Sequence, residues 1–167
     1  GGGVSVDGAR IEHDKAIVDY DKAIKLNPSY GLAYNNRGFS YAMKGAYDRA
    51  IADYDKAIAI LPNDEVLYNN RGEAFSARNE TNRAIADFSR SIALKHDKVS
   101  AWINRGYKYQ TLGETERAFV DFDQALKLDP QNARALNGRG NAQATHDLAI
   151  ADYTKAVGIA PDYGVAY

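Results

Sequence analysis

Cysteine is absent from the 167 residues, which removes disulfides, thiolate nucleophiles and thiolate metal sites together and leaves the redox compartment open. Proline is scarce, at four residues, too few for a disordered Pro-rich segment. No apolar run approaches the roughly 18 residues of a membrane span, and Gly1 to Arg10 lacks the apolar middle of a signal peptide. A cytoplasmic location is the expectation. Charge of one sign is also missing: 21 basic residues face 22 acidic ones, for a formal net charge of -1 and a pI near 6.3. No field exists to gather phosphate backbones or anionic lipid, so neither nucleic acid nor a membrane surface is an expected partner. What remains is 45% hydrophobic and 26% charged, the composition of a folded chain with a core, and its length suits one domain.

The chain repeats itself. Arg37-Gly38, Arg71-Gly72, Arg105-Gly106 and Arg139-Gly140 recur at an interval of 34 residues. A second block, Ala-Ile-x-Asp-Tyr in outline, returns at Ala16 to Tyr20, Ala50 to Tyr54, Ala84 to Phe88, Ala118 to Phe122 and Ala149 to Tyr153. Pro28, Pro62, Pro130 and Pro161 close the units, with His96 in the place of proline in the middle one. A period of this size means a solenoid, whose units bury their apolar faces against their neighbours.

Inside a unit, apolar residues fall at helical spacing, as in Tyr34, Gly38 and Tyr41, then Ala50, Tyr54, Ala57 and Ile58. Two helices per unit follow. Gly45 and Gly113 sit where the first helix must stop and reverse, and Pro62 and Pro130 end the second. Small residues at Gly38, Ala50 and Ala57 let the paired helices approach, while the tyrosines fill space between them and are core.

These residues resemble the tetratricopeptide repeat, a helix-turn-helix unit of 34 residues. Units 31–64, 65–98 and 99–132 carry its pattern: a large residue at position 4 (Tyr34, Tyr68, Trp102), Gly at 8, a bulky residue at 11 (Tyr41, Phe75, Tyr109), Ala at 20 and an aromatic at 24. The resemblance implies an all-α fold, a right-handed alpha-alpha superhelix of about five antiparallel helix pairs. The whole of 1–167 reads as one array. Residues 1–30 hold a second helix, Glu12 to Leu26, behind a degenerate first one; residues 133–163 have a turn shortened by three residues before His146; and 164–167 begin a truncated sixth unit. The chain thus reads as a fragment of a longer array.

At position 7 the family normally places Leu, whereas this sequence has Arg37, Arg71, Arg105 and Arg139, and every unit has Asp at position 23: Asp19, Asp53, Asp87, Asp121 and Asp152. The expectation is a structural ladder of arginine–aspartate pairs, within a unit or across to the preceding one, since a planar guanidinium meets a carboxylate in two parallel bonds. Catalysis by residues copied into every unit is the poorer reading.

Asparagine recurs too, as Asn36, Asn70 and Asn104 at position 6 and Asn35, Asn69 and Asn137 at position 5. A carboxamide can bond any peptide unit, whatever its side chain. The array is similar to the asparagine ladder of the peptide O-linked N-acetylglucosamine transferases, which implies a grip on substrate backbone; the alternative is that these amides bond to neighbouring helices. The resemblance further implies that positions 2, 5, 6, 9, 12 and 13 line a concave groove. Its lining would be Leu32, Asn35, Asn36, Phe39 and Met43, then Asn69, Asn70 and Glu73, then Ile103, Asn104, Tyr107 and Gln110, then Arg134, Asn137 and Asn141. The clamp by which some family members hold chaperone tails has Lys at position 5, where this chain has Asn35, Asn69, Ile103 and Asn137. Chaperone tails are therefore disfavoured partners.

His13, His96 and His146 stand apart in the sequence, and no phosphate-loop spacing occurs. The chain is read as a scaffold for a peptide or protein segment, not an enzyme, with no cofactor and no metal. The alternatives are self-association through uncapped ends, where Ile150, Tyr153 and Val157 would be left uncovered, and a targeting arm of a larger enzyme.

Overall fold

A computed structural model describes residues 6–143, 154–155 and 157–159. Its elements are α1 (Val6–Leu26), α2 (Gly31–Met43), α3 (Tyr47–Ile60), α4 (Glu65–Ala77), α5 (Thr81–Leu94), α6 (Val99–Thr111), α7 (Thr115–Leu128) and α8 (Ala133–Ala142). No strand occurs among the described residues. Two compact units, 1–87 and 88–167, divide within α5, and each is described by itself.

In the first unit α1 packs on α2, α2 on α3 and α3 on α4. The sequence dictates this arrangement through small residues. Ala50, Ile51, Tyr54 and Ala57 form the buried stripe of α3, spaced as one helical face requires. Opposite it stands Gly38, where a Cβ would lie 3.0 Å from the Tyr54 ring. In the second unit α6 and α8 both pack on α7 and touch each other. Phe122 of α7 is fully buried, pressed between two glycines: a Cβ would lie 2.9 Å from its ring at Gly106 and 2.4 Å at Gly138. Gly138 occupies the position where earlier units have Asn36, Asn70 and Asn104. The asparagine series stops there because any side chain would strike Phe122.

Helix starts are capped at Asp64, whose carboxylate accepts from the Val66 amide at 2.9 Å, and at Asn132, which accepts from the Ala135 amide at 3.1 Å. Unit closures are tied to the following helix. Tyr68 donates to the Pro62 carbonyl at 3.0 Å, and Trp102 Nε1 to the His96 carbonyl at 2.8 Å. His96 also meets Trp102 edge to face at 5.0 Å, which gives the histidine a structural place.

The reversals between paired helices share one backbone conformation. Gly45, Asn79 and Gly113 are 34 residues apart and have φ of 75°, 61° and 73°, the left-handed region open to glycine and, among other residues, most readily to asparagine. The residue 34 before Gly45 is Ile11. A β-branched side chain opposes that conformation, and no reversal occurs: α1 runs straight for 21 residues from Val6. The sequence-based start at Glu12 is thereby corrected to Val6. The shortened turn before His146 and the start of a sixth unit at 164–167 lie outside the described residues.

Space is open around Gly113, with nothing within 4 Å of a built Cβ, so only backbone strain opposes substitution. Gly113→Ala is expected to cost about 1 kcal/mol in urea unfolding and Gly113→Asn clearly less. Equal losses for the two would contradict this account.

Candidate functional site

The repeated arginines occupy the seams of the fold. Arg37 Nε and Nη2 donate to the two oxygens of Asp53 at 2.8 and 2.6 Å, while Nη1 donates to Asp21 at 2.6 Å. Arg71 does the same with Asp87, at 2.7 and 2.8 Å, and with Asp55 at 2.6 Å. Arg105 holds Asp121 through two bonds of 2.8 Å and reaches Ser89 Oγ at 3.0 Å. Each of these guanidinium groups therefore binds sixteen residues forward, to the second helix of its own hairpin, and sixteen back, to the second helix before it. Arg139 reaches back likewise, to Asp123 at 3.1 Å.

Sequence reasoning found the forward partners and missed the backward ones. The signal was present, since Asp21, Asp55, Ser89 and Asp123 also recur at 34. Asp19 is a correction: it lies 75% exposed and, among the described residues, joins no arginine and meets Lys22 alone, at 3.3 Å. The residue that would supply its arginine, 34 before Arg37, is Gly3. Asp152 lies outside the described residues.

Burial and pairing oppose each other at these ties, and at Asp121 burial is the larger influence and pushes its carboxyl up. Asp53, Asp87 and Asp121 have side chains 7%, 8% and 2% exposed. The hydrogen bond to Asp53 raises Arg37 above its usual value, and that to Asp87 raises Arg71, with burial opposing in both. For Arg105 burial is the largest influence and acts downward, but Asp121 outweighs it and the net direction is up. Aromatic faces hold each fork flat: Arg37 lies 5.6 Å from Tyr34 and 6.0 Å from Tyr41, Arg71 5.8 Å from Tyr68 and 5.7 Å from Phe75, Arg105 5.0 Å from Trp102 and 5.7 Å from Tyr109.

The residues expected to line a groove separate into three groups. Leu32, Asn36, Phe39 and Met43 are exposed along one face of α2, at i, i+4, i+7 and i+11. The apolar three are 48%, 49% and 59% exposed, and His13 of α1 meets Phe39 edge to face. A second group is engaged with neighbouring side chains or backbone carbonyls. Asn70 donates to Asn35 at 3.0 Å, Asn35 to Asn36 at 3.1 Å, and Asn69 to Glu73 at 2.9 Å. In the second unit Arg134 donates to Asn104 at 3.2 Å, Tyr107 to the Arg134 carbonyl at 2.8 Å, Gln110 to the Gly138 carbonyl at 2.9 Å and Asn141 to Asn137 at 3.4 Å.

The third group is buried. Ile103 belongs to the core of the second unit at 2% exposure, and Asn69 and Asn137 are 6% and 2% exposed; their placement in an open lining is corrected. Position 5 points inward in α4 and α8, so its amides serve the fold. Val157, expected on an uncovered face, packs against the same core, while Ile150 and Tyr153 lie outside the described residues. Among the described residues no three His, Asp or Glu side chains gather as a metal site requires, and no helix is long and apolar enough to cross a membrane.

Sequence comparison agrees with this geometry. The tetratricopeptide-repeat model matches residues 31–64 and 99–132, and a second TPR-repeat model matches 12–45. No curated protein sequence matches. A crystal structure of MamA superposes with a TM-score of 0.83 at 24% identity, over 96% of each chain. The first TPR domain of Spaghetti (RPAP3), bound to the HSP90 peptide SRMEEVD, is 29% identical with a TM-score of 0.66, over 67% of this chain and 89% of that one. The second TPR domain of human RPAP3, in complex with the HSP70 peptide SGPTIEEVD, is 27% identical with the same score, over 69% and 96%.

Removing Asp87 leaves Nε and Nη2 of Arg71 without acceptors on the buried side of the fork while Asp55 still holds Nη1, so Asp87→Ala is expected to cost about 3 kcal/mol. The exposed Asp19→Ala should change stability by less than about 0.5 kcal/mol. Urea unfolding with the Arg71→Ala, Asp87→Ala double-mutant cycle measures the coupling, and additive single-variant losses would reject the pair as a stabilising unit.

Proposed function

The chain belongs to the tetratricopeptide-repeat family, and from that premise we propose that it is a non-enzymatic interaction module holding an extended segment of another protein against the exposed face of α2. The supporting observation is the stripe of Leu32, Phe39 and Met43, 48% to 59% exposed, with Asn36 among them. Three large apolar side chains in one line are costly to leave in water. An apolar side chain of the ligand would cover them. Asn36 Nδ2, which meets no acceptor among the described residues, would bond the ligand backbone.

Of the asparagines expected to grip a backbone, Asn36 is the best placed. Asn70 and Asn104 are already engaged with Asn35 and Arg134, which favours the reading in which they join neighbouring helices.

Two relatives carry peptides ending in EEVD, and their binding of peptides supports the general role. An acidic tail is nevertheless a poor ligand for α2, because Leu32, Asn36, Phe39 and Met43 offer it no cation. An uncharged segment with an aromatic or branched aliphatic anchor fits better.

Selection of phage-displayed random peptides against the purified chain tests this reading, with calorimetry on the enriched sequences. Phe39→Ser with Met43→Ser is expected to weaken the selected peptides by roughly tenfold or more, and an EEVD peptide should not compete. Enrichment of acidic C-terminal tails, or affinities indifferent to the double substitution, would overturn it.

A further inference from the structure

Helix α1 has the sequence of a second helix but, among the described residues, no first helix lies before it in its own hairpin. The complete hairpins show what such a partner does. In α3 the first helix seals Ala50, Asp53, Tyr54 and Ala57, at 0%, 5%, 1% and 0% exposure, and the matching residues of α7 are equally closed. The same four places in α1 are Ala16, Asp19, Tyr20 and Ala23. None is buried, and Asp19 is the most open. On the other flank of α1, Ile17 is buried and Asp21, itself exposed, is bonded to Arg37.

Each feature of this open flank specifies its occupant. Asp19 matches carboxylates that elsewhere receive two parallel N–H bonds from arginine. Tyr20 matches rings that elsewhere press on a glycine, as Tyr54 does on Gly38. Ala16 and Ala23 permit close helix approach. The helices that meet these demands share one pattern, aromatic-x-x-Arg-Gly-x-x-aromatic: Tyr34 to Tyr41, Tyr68 to Phe75 and Trp102 to Tyr109. Ile11 stands where the other hairpins reverse at positive φ, and α1 continues straight through it. Among the described residues, then, no helix folds back onto this flank.

We propose that the open flank of α1 is a docking site for a helix of another polypeptide carrying that pattern. Its arginine takes both oxygens of Asp19 in place of Lys22, and its glycine seats the Tyr20 ring. The site is separate from the exposed face of α2 and does not depend on the function proposed for that face.

The probe is a fluorescein-labelled synthetic peptide with the α2 sequence, Gly31 to Lys44, titrated with the full chain and followed by anisotropy. Saturable binding is expected. Asp19→Asn in the chain, or Met in place of the peptide's arginine, should each weaken it roughly tenfold or more. Asp19→Arg paired with a peptide carrying Glu at its arginine position should recover most of the loss. Because Asp19 is exposed, these variants keep the fold, as circular dichroism will verify. No saturation up to about 1 mM peptide, or binding indifferent to Asp19→Asn, overturns the proposal. So does binding that is lost with Phe39→Ser and Met43→Ser instead, which would put the peptide on α2.

Discussion

A guanidinium with its donors aimed in two directions holds the repeat in register. Nε and Nη2 point into the second helix of the same hairpin and Nη1 into the second helix before it, so a single side chain fixes three helices at once. Hydrophobic contact between α2 and α3 is non-directional and would tolerate small slides. The fork does not, because two parallel bonds to Asp53 and a third to Asp21 are satisfied in one geometry. Flanking rings at Tyr34 and Tyr41 restrict it further. This explains how a charged residue serves at a position where the family normally uses leucine: its stem and faces are covered, and its donors are met.

Much of this was legible in the sequence because a repeat is its own control. Four arginines and five aspartates at matching offsets predicted a bonded pair without reference to coordinates, and the period together with the apolar spacing inside each unit identified paired helices. The limits have physical causes. Periodicity says that position 5 recurs but not which way it faces, and Ile103, Asn69 and Asn137 proved to be buried. Side-chain direction on a packed helix depends on the neighbour it leans on, which spacing does not encode. The backward partners were missed for a different reason: a carboxylate already assigned to its own hairpin drew attention from Asp21 and Asp55, which share the same arginines.

Departures from the repeat were as informative as the repeat. Gly138 breaks the asparagine series because Phe122 leaves no room, and the lost side chain is replaced by a bond from Gln110 to the backbone. Ile11 replaces a turn residue and converts a hairpin into one long helix. Asp19, identical in type to its buried counterparts, has no arginine among the described residues and stands exposed beside Lys22. In each case a single residue changes what the same local pattern becomes.

Because both ties of Arg37, Arg71 and Arg105 span sixteen residues, the bonding around any one of these seams is blind to how many units lie on either side. Duplicating or excising one whole 34-residue segment would reunite these arginines with acceptors at the same offsets, whereas a gain or loss of any other length would strand charge at the join. Copy number can thus drift during evolution while the joints stay as they are.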